Sequence, residues 1–84
     1  MRRQAQLQIL SEFNEICKVI TQQKILRNGL DNCAECRLVA KQITIRLNEL
    51  KQDLAIVRTQ ASDLGVSESE LDRIVAYWKG RLVE

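Results

Sequence analysis

Between Cys36 and Leu64 the apolar residues return in steps of four and three without a break: Cys36, Ala40, Ile43, Leu47, Leu50, Leu54, Val57, Ala61 and Leu64. A repeat of 3.5 residues is the signature of a helix whose seam packs along a second helix. Upstream, Ile9, Leu10, Phe13, Ile16, Cys17 and Ile20 mark a wider apolar face at helical spacing. Downstream, Leu71, Ile74, Val75, Trp78 and Leu82 mark a third.

Turn residues divide these stretches. In "RNGLDN", Gly29 is placed to close a helix in the left-handed conformation, and Asp31 and Asn32 are placed to cap the next. In "LGVSESEL", Gly65 stops a helix and Ser67 starts another, with Glu70 three residues on to complete a capping box. Helices are therefore expected at about 3–28, 32–64 and 68–82 in one domain, 1–84. The fold class is all-α: a long antiparallel, coiled-coil-like hairpin plus a short third helix. Folding about the 28–32 bend predicts Ile20 near Ala40, Phe13 near Leu47, Ile9 near Leu50 and Cys17 towards residue 43. On that register the first helix stops short at about Val57, and the third is expected to cover the remaining end of the seam.

A second stripe runs along the central helix. Leu38, Ile45 and Ile56 are spaced by near-whole helical turns and lie opposite the seam. An apolar line facing away from the core usually finds a partner. A chain of 84 residues buries only roughly 60% of the surface its unfolded form exposes, so association would help it. The expected state is a homodimer through Leu38, Ile45 and Ile56.

Composition narrows the function classes. There is no proline, only three glycines and no histidine. Thirteen bases against eleven acids leave a net charge of +2, too balanced to imply nucleic acid or membrane by itself. Arg2 and Arg3 are followed by Gln4, Gln6 and Gln8 where a signal peptide would turn apolar, so a cytoplasmic chain without a membrane span is expected. No phosphate-binding loop and no nucleophile beside a base is present, so no enzyme and no cofactor are expected.

Three cysteines fit a reducing compartment better than a disulfide scaffold. Cys33 and Cys36 form a CxxC at the start of the central helix and are expected to be small, packed, metal-free residues at its seam. One chain lacks the four ligands of a structural zinc site. Two chains meeting at their bends would supply four thiolates, an arrangement similar to the zinc hook of long coiled-coil ATPases. That similarity covers only the CxxC and its position.

Residues 59–74, "TQASDLGVSESELDRI", resemble the helix-turn-helix of bacterial and phage repressors. Ala61, Gly65 and Leu71 stand at its turn-making positions, and Leu64, Val66 and Ile74 at its apolar ones. The resemblance implies a second helix that enters the major groove, with Arg73, Tyr77, Lys79 and Arg81 as contacts. Yet Glu68, Glu70 and Asp72 occupy the turn that would meet phosphate, where carboxylates repel the polyanion. The preferred expectation is thus a non-enzymatic protein-interaction module, a small adaptor or regulator. It self-associates through its central helix and touches an unidentified protein partner near Tyr77. A dimeric DNA-binding regulator using residues 59–81 is the alternative.

Overall fold

The computed structural model describes residues 2–82. They form three helices and no strand: α1 (Arg2–Asn28), α2 (Ala34–Asp63) and α3 (Glu68–Leu82). None of the three is long and apolar enough to cross a membrane. α2 runs antiparallel to α1, and α3 returns parallel to α1, with most of its contacts on that helix. The molecule is elongated, 51 × 24 × 16 Å.

The junction of α2 and α3 shows how local sequence sets the chain's path. Gly65 has φ of 88° and is the one described residue in the left-handed region. Its N–H donates to the Ser62 carbonyl at 3.0 Å, and the Val66 N–H donates to the Ala61 carbonyl at 2.9 Å. This is the paired hydrogen-bond pattern of a Schellman close, and its usual apolar contact is supplied by the buried Val66 and Ala61. α3 then opens with the expected capping box. The Ser67 N–H donates to the Glu70 carboxylate at 3.3 Å, and the Glu70 N–H donates to Ser67 Oγ at 3.4 Å.

Glycine-to-alanine substitutions will therefore have opposite signs at two sites. Gly65→Ala forces an L side chain into the left-handed region and brings Cβ to 3.3 Å from Gln6 Nε2, so it will lose about 1–2 kcal/mol. Gly80 lies inside α3 with nothing within 4 Å of an added Cβ, so Gly80→Ala will gain up to about 1 kcal/mol from helix propensity. Paired urea melts check both.

The first junction departs from expectation. Gly29 is not left-handed; α1 closes instead through the Gly29 N–H shared between Ile25 and Leu26 carbonyls, and the Leu30 N–H on Arg27. Asp31 and Asn32 do not cap α2. The N-cap is Cys33, in an extended conformation, with its sulfur accepting the Cys36 N–H at 3.1 Å. Asn32 accepts from the Arg37 guanidinium instead, at 3.3 Å.

This longer connection changes the register. The Gln6 amide donates to the Leu64 carbonyl at 2.7 Å, and Arg27 donates to Thr44 Oγ1 at 3.2 Å. Phe13 and Cys17 share a cluster with Val57 and Ala61, not with Leu47 or Ile43. Ile20 clusters with Ile43, Leu47 and Leu50 rather than Ala40. α1 has slid along α2 by roughly 15 Å at 1.5 Å per residue. Residues 29–33 allow this because Leu30 tucks onto the Ile20–Leu50 cluster while the chain climbs past the end of α1. α1 thus reaches the far end of the seam, and α3 shares it, with Leu71 joining Val57 and Ala61 there while most of α3 lies on α1. The cost appears at the other end: the first two turns of α2 project beyond α1. There Leu38 and Val39 are exposed, and the in-phase Cys36 and Ala40 are only half-buried.

Two clusters form the core. One joins all three helices through Ile9, Phe13, Cys17, Val57, Ala61 and Leu71, together with Val66 of the turn. The other holds Ile20, Ile43, Leu47 and Leu50 between α1 and α2. Ile16 and Leu54 pack against both.

Candidate interaction surfaces

Three surfaces stand out, and two of them carry the residues singled out by sequence. On the outer side of α2, Leu38, Ile45 and Ile56 are 65%, 54% and 57% exposed. They remain on one line opposite the buried Ile43, Leu47, Leu50 and Val57. Near the hairpin end, Ile25 and Leu26 of α1 and Val39 of α2 are also exposed, and sequence reasoning did not single them out.

At the α2–α3 corner, where the sequence resembles the repressor turn, Ala61 and Leu71 are fully buried around the left-handed Gly65. The carboxylates at the start of α3 are engaged locally. Glu68 and Asp72 pair with Arg58 of α2 at 2.5 and 3.6 Å, and Glu70 is held in the capping box. Arg58 also lies 5.6 Å from the centre of the Phe13 ring, so its guanidinium closes the core's edge rather than facing solvent alone. Along α3, Arg73, Tyr77, Lys79 and Arg81 are all exposed, but they are not equivalent. Arg81 donates to the Tyr77 hydroxyl and stacks 4.9 Å from the centre of its ring, while Trp78 meets that ring edge-on at 5.0 Å. Lys79 turns to a different surface, described below.

The cysteines correct the sequence reading. Cys33 is exposed, not packed in a seam, and is joined to Cys36 by a disulfide across the first turn of α2. The two are in phase with the seam, but α1 does not extend far enough to bury them. Among the described residues no group of three or more metal-ligating side chains comes together. Cys17 is the free thiol; burial raises its pKa above the usual value, with Arg58 pulling weakly the other way.

The third surface was invisible in the sequence. Where α3 ends against the hairpin, the three helices leave a groove of about 130 Å³. Its floor is apolar: Cys17, Ile20, Leu54, Val75, Trp78 and Leu82. The polar atoms near the floor are already engaged. The Thr21 hydroxyl donates to the Cys17 carbonyl at 2.9 Å, and the Trp78 indole N–H donates to Asn14 Oδ1 at 2.8 Å. Around the rim stand Lys24 of α1, Lys51 of α2 and Lys79 of α3. Lys24 is half-buried, and its pKa is lowered first by that burial and then by repulsion from Lys51, Arg27 and Lys79. Among the described residues no carboxylate forms a salt bridge to any of the three lysines.

Comparison of the chain with protein-family models, with curated proteins and with solved structures found no match, so its surfaces must be read from their own chemistry.

Proposed function

We propose that this chain is a non-enzymatic, helical protein-interaction module, a small adaptor or regulator that self-associates through α2. One observation carries the reading. Leu38, Ile45 and Ile56 are each more than half exposed and lie in a single line on the face of α2 turned away from α1. Three aligned aliphatic side chains on one long helix suit a second helix laid alongside, and burying them removes apolar surface at roughly 25 cal/mol per Å². The small intramolecular core gives that burial an unusually large share of the stability.

Sedimentation at micromolar concentration tests it. The wild-type chain will sediment at about twice 9.7 kDa, and Ile45→Lys, which places a charge in the interface without touching the core, will sediment as a folded monomer. A wild-type monomer overturns the self-association.

The corner around Gly65 favours a second reading, a dimeric helix-turn-helix regulator with α3 in the major groove. Its difficulty is charge. Glu68, Glu70 and Asp72 lead α3, and Arg58, the nearest base on α2, is already paired with two of them. Random-site selection on duplex DNA distinguishes the readings. The interaction module enriches no motif, whereas a palindrome relaxed at defined bases by Arg73→Ala replaces it with the regulator.

A further inference from the structure

We propose that the groove between the three helices is a docking site for an acidic segment of a protein partner, which seats one leucine-sized or aromatic side chain on the apolar floor and places its flanking carboxylates against Lys24, Lys51 and Lys79. This deepens the interaction-module reading and rests on it.

Volume limits the occupant. The groove's volume of about 130 Å³ is close to the roughly 150 Å³ cavity known to accept a single benzene molecule, so it seats one leucine-sized or aromatic side chain. The floor limits its chemistry. The Thr21 hydroxyl and the Trp78 indole spend their donors inside the protein, so the group that reaches the bottom is apolar. The rim sets the charge. One ammonium comes from each helix, and among the described residues the charged groups that act on Lys24 are the cations Lys51, Arg27 and Lys79. An anion at the rim therefore relieves repulsion that the free protein carries.

A lone small carboxylate uses this arrangement poorly. Lys51 and Lys79 are exposed, and an exposed ion pair contributes only about 0–1 kcal/mol. Several carboxylates on one peptide engage all three lysines at high effective concentration, while a single buried anchor supplies the apolar contact. The groove also lies away from Leu38, Ile45 and Ile56, on the side of α2 that faces α1 and α3. A dimer through the outer face leaves it open.

Trp78, the one tryptophan in the chain, lines the groove and reports its occupancy. The probe is a capped pentapeptide of four glutamates around a central leucine, titrated while Trp78 emission is followed. The comparison probes are the same peptide with central alanine, the same peptide with glutamine for every glutamate, and hexanoate as a free anion. The expected result is a saturable spectral change with the acidic leucine peptide. Loss of the leucine or of the carboxylates should weaken binding roughly tenfold or more, as expected when a buried aliphatic group or a set of ion pairs is removed. Lys51→Glu combined with Lys79→Glu should abolish it, Lys79→Arg should keep it, and circular dichroism confirms that these variants stay folded. Absence of a saturable change, or equal affinity for the glutamine peptide, overturns the proposal. Equal affinity for hexanoate replaces the peptide with a small aliphatic anion. A monomer that binds the peptide removes self-association alone, and a dimer that does not bind it removes the groove alone.

Discussion

Phe13→Ala is expected to be the costliest single substitution, with a loss of about 3–5 kcal/mol in urea denaturation. The ring is 0% exposed in the cluster where all three helices meet, and Leu71, also 0% exposed, belongs to the same cluster. Its truncation leaves a void lined from α1, α2 and α3 together. No one helix can close such a void without losing its contacts to the others, so little of the cavity cost is recovered by relaxation. Arg58, whose guanidinium lies over the ring, also loses that contact. Because whole domains are stable by only about 5–15 kcal/mol, the variant will be largely unfolded at modest urea. A loss no greater than that of the exposed Leu7→Ala would contradict the placement of Phe13 at the centre of the fold.

The second large effect lies in the other cluster. Leu47→Ala and Leu50→Ala are each expected to lose about 2–5 kcal/mol, because both side chains are buried with Ile20 and Ile43 between α1 and α2. Gln42→Ala and Gln52→Ala, on exposed positions of the same helix, are expected to stay within about 0.5 kcal/mol of wild type. Equal losses at all four positions would mean that α2 presents a different face to α1. Leu47 and Leu50 do not share the Phe13 cluster directly, so the double variant Leu47→Ala Phe13→Ala also measures how far Ile16 and Leu54 couple the two clusters.

The features legible in the sequence were those decided within a few residues. The capping box at Ser67 and Glu70 and the left-handed Gly65 depend on local backbone bonds, and their residue types announce them. The buried stripe of α2 from Ile43 to Ala61 was legible for a related reason: a helix's own periodicity defines its faces. Register was not legible, because it depends on how far residues 29–33 travel before α2 begins, and that stretch packs Leu30 on a cluster built from both helices. Periodicity also cannot say where a partner helix ends. Cys33, Cys36 and Ala40 kept the phase of the seam and still stand outside the core. The groove failed to announce itself for the same reason. Lys24, Lys51 and Lys79 belong to three helices and come together only once the register between those helices is fixed.

The projecting start of α2 divides the molecule into parts of unequal persistence. Backbone amides from Arg37 to Lys41 are held by helical hydrogen bonds, but few buried side chains tie that segment to α1. Opening it exposes little new apolar surface, so deuterium will replace those protons through local fraying, at a free energy well below that of global unfolding. The amides from Leu47 to Val57 lie over the two clusters and exchange only when the hairpin comes apart. A core-weakening substitution such as Phe13→Ala will therefore accelerate exchange in the second group and leave the first almost unchanged.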